Sequence, residues 1–241
     1  TGTGTAGATT IGADSSGNGN HWTTNNLTAN DSDLQDSPTN NFCKMNARER
    51  GDTGAPAYTY NTLRATLADN EEAYGTFEIR SGKWYWEVDY VSSASSNNKV
   101  GIGIADADET GGDEQVNYGH QATTYAVNDI IGVAVDMDAE ELTIYKNNSA
   151  IESATDFSGK GWTSITPFIT SANSAGDEVV NINFGDDSSF NGHVTAQNNS
   201  DQHGHGDFYY SPPSGYLALC IDNLPEPTIS PLQGEQPNDF F

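Results

Sequence analysis

Two pairs of carboxylates have the residue types that acid–base chemistry requires. Glu87 and Asp89 alternate on one strand-like stretch, and Asp136 and Asp138 lie at the end of another. A glycoside hydrolase holds two such groups about 5–9 Å apart across a cleft. The Glu-x-Asp-x-x-Glu spacing of hydrolases built on a sandwich is missing, and alternating acids are typical of a solvated strand face. The sequence therefore predicts exposed acids and no catalytic residue.

Two further groups of side chains could bind a metal ion. His203 and His205 lie close to His193, and in an extended chain their imidazoles point to one side and could hold a transition metal. An acidic loop could hold calcium through oxygen ligands, and its candidates are Asp106, Asp108 and Asp113, with Glu109 and Glu114 beside them. Neither group has a fixed ligand spacing. We expect solvated polar loops and no cofactor, with calcium as the alternative.

The charge balance excludes several classes of partner. The chain has 34 acidic and 9 basic residues among 241, a formal net charge of -25. Nucleic-acid binding depends on lysine and arginine, so no nucleic-acid partner is expected.

No apolar run approaches the length of about eighteen residues that a membrane helix needs, so membrane insertion is not expected either. Cys43 and Cys220 lie in apolar contexts, which favours two buried thiols over a disulfide.

The chain reads as an all-β protein that is built of short strands. In SGKWYWEVDY, Trp84 and Trp86 alternate with polar residues, which indicates a strand with one buried face. In VGIGIAD, Gly101 and Gly103 leave one face bare, so other groups should pack closely there. The predicted strands cover residues 77–80, 84–90, 100–105, 124–127, 130–136, 142–146, 165–170, 179–184 and 215–221. About eight or nine strands suit a β-sandwich of two antiparallel sheets.

The flanks of this region have a different composition. Residues 1–35 are poor in apolar side chains and form an extended arm, with Trp22 and Leu27 as its expected anchors. Residues 186–213 form a long polar excursion of a length that is usually functional or poorly ordered. Pro225, Pro227 and Pro231 indicate that residues 225–241 are a stiff linker. We therefore expect a sandwich over 36–224, with its core at 75–222, inside a longer polypeptide.

The order of the strand motifs resembles the SPRY (B30.2-like) domain. GKWYWEV, VGIGIAD, DIIGVAVDMDAEELTIYKNN, ITPFI and VNINFG follow one another over about residues 75 to 222. The resemblance implies a concanavalin-like sandwich of two antiparallel sheets, a jelly roll. One departure is the turn at Asp138, Ala139 and Glu140, where the family often has Asp-Gly or Asn-Gly. Because MDAEE lacks that signal, the turn should be longer than two residues.

The flanking motifs are similar to the surroundings of SPRY modules in structural proteins of tailed bacteriophages. These motifs are DSSGNGNHWTTNNL, DSPTNNFCKMN and GDFYYSPPSGYLALCIDNLPEPTI. DSSGNGNHW also looks like part of a laminin-G-like module, so residues 1–35 could end a preceding lectin-like unit. The resemblance implies a virion protein made in the host cytoplasm and exposed on a fibre, an appendage or a capsid. Its partners would be other virion subunits or a host surface glycan or protein, with a homo-oligomer left open.

Loops at one rim of the sandwich are the expected binding surface, as in SPRY domains that bind peptides. Aromatic rings for stacking and amides for hydrogen bonding are typical of carbohydrate and peptide sites. The candidates are Tyr118, His120, Gln121, Asn147, Asn148 and Trp162. We expect a non-catalytic structural or adhesive module. The alternatives are a stand-alone lectin-like or peptide-binding adaptor and a glycan hydrolase on the same scaffold.

Overall fold

The structure, a computed structural model, consists of two antiparallel sheets with a shared apolar core. It describes residues 12–14, 16–23, 40–46, 56–94, 100–108, 115–118, 125–151, 153–172 and 176–225. Within these ranges the helical content is two short 3-10 segments, Ser158–Lys160 and Ile221–Asn223. The predicted all-β sandwich is therefore confirmed.

Thirteen strands form the two sheets within the described ranges. In chain order they are β1 Ala57–Thr59, β2 Arg64–Leu67, β3 Glu72–Tyr74, β4 Lys83–Ser93, β5 Val100–Asp106, β6 Gln115–Tyr118, β7 Ile130–Asp136, β8 Glu141–Lys146, β9 Ser149–Ala150, β10 Thr155–Asp156, β11 Ile165–Ser171, β12 Glu178–Asn183 and β13 Leu217–Ala218. The larger sheet has the order β1-β2-β12-β4-β7-β8-β10, with β13 on β4 and β9 on β8. The smaller sheet has the order β3-β11-β5-β6. Strands β1, β2 and β3 precede residue 75, so the sheets begin before the SPRY-like motifs at about residues 75 to 222.

Strand β4 lies in the middle of the larger sheet and carries the double-tryptophan motif. Trp84 and Trp86 lie opposite Val135 and Val133 of β7, and all four side chains are buried. Trp86 also packs against Phe184, with ring centroids 6.3 Å apart. Alternation along the strand thus places both tryptophans in the core between the sheets.

The bare face of β5 is filled as its glycines predicted. Gly103 lies opposite Phe168 of β11, and Phe168 lies opposite Tyr74 of β3. The rings of Tyr74 and Phe168 meet edge to face, with centroids 5.2 Å apart, and both are buried. Since glycine adds no side chain, this aromatic pair can lie directly beside the β5 backbone.

Three of the predicted strands differ in the structure. Residues 125–127 do not form a strand, because they lead into a turn in which Asn128 has a φ of 74° and Ala126 N–H is capped by Asp129. Residues 77–80 form a single bridge, from Ile79 to Ile165. Residues 215–221 contribute only the two-residue strand β13, which runs parallel to β4. Tyr125, Ile79 and Leu219 are buried outside a regular strand ladder, whereas Val127 and Ile221 are exposed.

The β7–β8 turn is longer than two residues, as predicted. It spans residues 137–140, and Glu140 adopts a φ of 55°. Asp136 Oδ1 accepts hydrogen bonds from the N–H groups of Asp138 and Ala139, both at 3.1 Å. A carboxylate that caps two backbone donors replaces the Asn-Gly signal here.

The two cysteines are free, buried thiols. Phe42 forms a bridge with Cys220, which places the neighbouring Cys43 opposite Leu219. Because successive residues of an extended segment face opposite sides, the two sulfurs point to different faces. This register explains why adjacent segments bring the cysteines close without a disulfide.

Trp22 is a predicted anchor of the N-terminal arm, but the structure does not show it in that role. Its side chain is 77% exposed, and the nearby turn is held by Asp14, which accepts hydrogen bonds from the N–H groups of Ser16 and Asn20. The other expected anchor, Leu27, lies outside the described residues, as does nearly all of the linker at 225–241.

A test of the packing is available at Gly185, which follows β12. Its φ is 119°, and a Cβ there would lie 2.6 Å from a ring carbon of Phe42 and 3.1 Å from the Cα of Gly206. We expect Gly185→Ala to lower the free energy of unfolding by about 3 kcal/mol, through backbone strain and overpacking. The measurement is urea denaturation.

The matched control is Gly159→Ala, where a Cβ would meet nothing within 4 Å. Its effect should stay within about 0.5 kcal/mol. Equal effects of the two substitutions would contradict the packing at Gly185.

Candidate functional site

The face of β4 that was predicted to be solvated is buried. The whole residues Glu87 and Asp89 are both 0% exposed, so the prediction of an exposed acidic pair was wrong. Asn183 and Asn181 of β12 lie opposite them in the sheet register. This polar outer face is covered by residues 185–216, called here the covering segment.

Glu87 accepts hydrogen bonds from three parts of the fold. Its Oε1 accepts from the Tyr85 hydroxyl at 3.1 Å and from Tyr210 N–H at 2.8 Å. Its Oε2 accepts from Tyr209 N–H at 2.8 Å and from Asn183 Nδ2 at 3.3 Å. Burial raises the pKa of Glu87 to about 7, although these hydrogen bonds act in the opposite direction.

Asp89 holds the covering segment at a second point. Its Oδ2 lies 2.7 Å from His193 Nδ1 and accepts from Asn181 Nδ2 at 2.9 Å. Burial raises the pKa of Asp89, while the contacts with Asn181 and His193 lower it, as does the nearby charge of Arg64. Glu87 and Asp89 thus attach one polar segment to the sheet and do not face a cleft.

The covering segment is organised by its own polar side chains. Asp187 accepts from the N–H groups of Ser189 and Asn191, and Ser188 Oγ accepts from those of Gln197 and Asn198. Such side chain to backbone bonds replace a regular ladder. The covering segment is therefore folded, and it is built from turns.

Asn183 connects β12 to this cover. Its Oδ1 accepts from Gly185 N–H at 2.8 Å and Asp187 N–H at 3.1 Å. Its Nδ2 donates to Asp207 O at 2.8 Å as well as to Glu87. One buried amide therefore provides hydrogen-bond partners for the start of the covering segment, at Gly185 and Asp187, and for Asp207 farther along it.

The second acid pair is also structural. Asp136 is buried and forms a salt bridge with Lys83 at 2.6 Å, while Asp138 is exposed and accepts from Gly82 N–H at 3.2 Å. Burial acts against ionisation of Asp136, but the bonds from Lys83 and from the turn lower its pKa below the ordinary value. The pair stabilises the β7–β8 turn.

Trp162 was predicted at the binding rim, and this prediction was wrong. The residue is 8% exposed and packs on Phe157, with ring centroids 5.9 Å apart. Phe157 in turn donates its N–H to Glu140 O, at the start of β8. The charged end of Lys160 covers the remaining ring surface, at 5.3 Å from the centroid. Trp162 therefore belongs to the core.

Asn147 and Asn148 lie at the other end of β8. Six residues separate them from Glu140, a distance of about 20 Å along a strand. Asn147 is structural, since its Oδ1 accepts from Ile130 N–H at 2.9 Å and its Nδ2 donates to Asp129 at 2.7 Å. The structure does not bring these asparagines together with Trp162.

Three other rim candidates are only partly described. Tyr118 ends β6, opposite Ile102, whereas His120 and Gln121 lie outside the described residues. Asn148 is exposed in a turn, with a φ of 66°. Of the predicted rim residues with described side chains, Asn148 alone is both exposed and without a structural hydrogen bond in the described part of the chain.

The metal candidates do not converge in the described ranges, where no three His, Cys, Asp or Glu side chains are arranged to hold an ion. His203 Nδ1 contacts Asn223, and Asp201 Oδ1 caps the N–H groups of His203 and His205. Asp106 caps Asp108, which accepts from Thr163. Asp113, Glu109 and Glu114 lie outside the described residues.

Two open grooves lie beside residues 75–81. One has a volume of about 260 Å³ and is lined by Glu78, Ile79, Arg80, Ser81, Trp84, Leu224 and Pro225. The other, of about 230 Å³, is lined by Asn46, Gly75, Thr76, Phe77, Glu78, Ala107 and Thr166. Glu78 is the single carboxylate in both linings, and it forms a salt bridge with Arg80. Neither groove holds the two acids that glycoside hydrolysis requires.

The sequence did not predict Asn181 and Asn183 as site residues, and it suggested His193 only as a neighbour of the metal candidates. The available signal was the alternation NIN at 181–183, which puts two amides on the outer face of a strand that was correctly predicted.

No helix among the described residues is long and apolar enough to cross a membrane.

No family model and no curated protein matches the sequence. Among solved structures, the SPRY domain of human HERC1 is similar, with 16% sequence identity and a TM-score of 0.38. The match covers 61% of this chain and 95% of that chain. A similarity this low says nothing about activity or partners, and the β-sandwich assignment rests on the strand order and register.

Proposed function

We propose that this chain is a non-catalytic structural or adhesive module of a tailed-phage virion protein. It contacts neighbouring virion subunits, or a glycan or protein on the host surface. The observation that carries the non-catalytic part is the position of the acids. Glu87, Asp89 and Asp136 are bound to backbone, amide, histidine or lysine groups, and each described groove has one carboxylate, Glu78.

The binding part of the proposal is supported by the way the fold presents its loops. Two rigid sheets hold turns at both ends of the sandwich, a scaffold on which loop side chains can vary without loss of the core. The virion part is supported by the resemblance of the flanking sequence to phage structural proteins. The net charge of -25 also suits an exposed, self-repelling surface.

We expect the protein to bind a host-surface glycan on an array without releasing reducing sugar from it. Asn148→Ala should weaken this binding about tenfold, the effect of losing one hydrogen-bonding side chain at a contact. Its Tm should fall only slightly, because alanine tolerates the left-handed φ of 66° less well than asparagine does. The matched control is Asn198→Ala, because Asn198 is also an exposed asparagine in a left-handed turn. Equal losses in both variants would contradict a site at the 147–148 turn.

Other outcomes would separate the proposed roles. Release of reducing sugar would establish a hydrolase and overturn the proposal. Absence of glycan and protein binding on the host side would favour contacts between virion subunits. The virion assignment fails if the full-length gene lies outside a cluster of viral structural genes.

A further inference from the structure

Glu87 is a buried carboxylate whose hydrogen-bond partners are all neutral. Two are backbone N–H groups of the covering segment, one is an amide of β12 and one is the phenol of Tyr85. No cation is among its hydrogen-bond partners in the described part of the chain. An ionised Glu87 would therefore be a buried charge without a counter-ion, which is costly.

The charged and titratable groups around Glu87 do not change this conclusion. They are Tyr85 and Asp89 on β4, Arg64 on β2, Asp129 before β7, Tyr145 on β8, and His193, Asp207, Tyr209 and Tyr210 on the covering segment. The neighbouring positions of β12 and β7 are the neutral Asn183 and Gly132. Arg64 and, when it is protonated, His193 act on Asp89. Asp89 itself lies two residues from Glu87 on the same face, and like charges oppose ionisation of both acids.

A proton on Glu87 removes this cost and is compatible with the local hydrogen bonds. The Tyr85 hydroxyl can accept as well as donate, so it remains a partner when Oε1 carries the proton. The backbone donors at Tyr209 and Tyr210 still face the carboxyl oxygens. Consistent with this, burial raises the pKa of Glu87 to about 7 from its ordinary value of 4.5.

We propose that the proton on Glu87 controls the docking of residues 207–210 on the outer face of the larger sheet. With the proton bound, the segment stays on the sheet. When the proton is lost, the segment lifts more often, because water then solvates the carboxylate. The polar face of β4 and β12 becomes accessible in that open state.

The direction of the pH effect follows from the two states of Glu87. Under the closed segment it keeps its proton up to about pH 7, and in the open state only up to about 4.5. Between these values the closed state binds more protons, so a rise in pH favours opening. Asp89 acts in the same direction, because burial also raises its pKa.

The test is amide hydrogen exchange of Tyr209 and Tyr210 in the full chain, corrected for the intrinsic pH dependence of exchange. We expect the equilibrium constant for opening to increase about 75-fold between about pH 5 and pH 8.5, from the two pKa values above. Glu87→Gln, which is neutral at every pH, should remove most of this dependence. Glu78→Gln, which changes an exposed glutamate, should retain it.

Two results would overturn the proposal. One is exchange at Tyr209 and Tyr210 that shows the same pH dependence in Glu87→Gln as in the parent protein. The other is a carbon-13 NMR titration in which the Glu87 carboxyl of the parent protein titrates near its ordinary value. The titration decides the question even if Glu87→Gln fails to fold.

Discussion

Trp86→Ala should lower the free energy of unfolding by about 3–5 kcal/mol, the range for truncation of a large buried aromatic. The side chain is 0% exposed between the sheets, where it lies opposite Val133 and packs on Phe184. Its removal leaves a cavity that two rigid sheets cannot close, because their spacing is set by many other side chains. Urea denaturation measures the loss.

Trp22→Ala is the matched control, since Trp22 is 77% exposed. Its effect should stay within about 0.5 kcal/mol. A loss below about 1 kcal/mol for Trp86→Ala would show that this tryptophan does not fill the core.

The second large effect is expected for Asn183→Leu, a change of similar volume. It leaves the N–H groups of Gly185 and Asp187 without their acceptor, and Asp207 O and Glu87 without one donor each. Each unsatisfied buried group costs about 1–3 kcal/mol, so we expect a loss of about 3 kcal/mol or more. Hydrogen exchange should show the covering segment losing protection before the sheets do.

The control for this substitution is Asn20→Leu at an exposed position. It should change stability by less than about 0.5 kcal/mol. A uniform loss of protection over the sheets and the covering segment in Asn183→Leu would contradict the local role of this amide.

Much of the sandwich could be predicted because its strands carry their own signals. The alternation at 84–90 and the apolar runs at 130–136 and 165–170 are local patterns, and β4, β7 and β11 form there. The prediction failed at 124–127, where Tyr125 is buried beside a turn and Val127 is exposed. Hydrophobicity alone does not separate a buried turn from a short strand.

The candidate site could not be predicted in the same way. Asn148 is exposed, as expected of a rim residue, whereas Trp162 is buried against Phe157. A tryptophan between glycine and threonine looks the same in sequence whether it points to solvent or to the core. Only the return of residues 155–163 to the β7–β8 turn decides its direction.

The sequence by itself determined which face of β4 belongs to the core, because Trp84, Trp86, Val88 and Tyr90 repeat with a period of two, and burial of such a continuous apolar face is strongly favoured in water. It did not determine the fate of the opposite face. Glu87 and Asp89 are buried by a polar segment about a hundred residues later in the chain, whose turns rest on its own Asx and Ser side chains. Burial of a polar face requires partners for each donor and acceptor, and those partners exist only once distant segments meet.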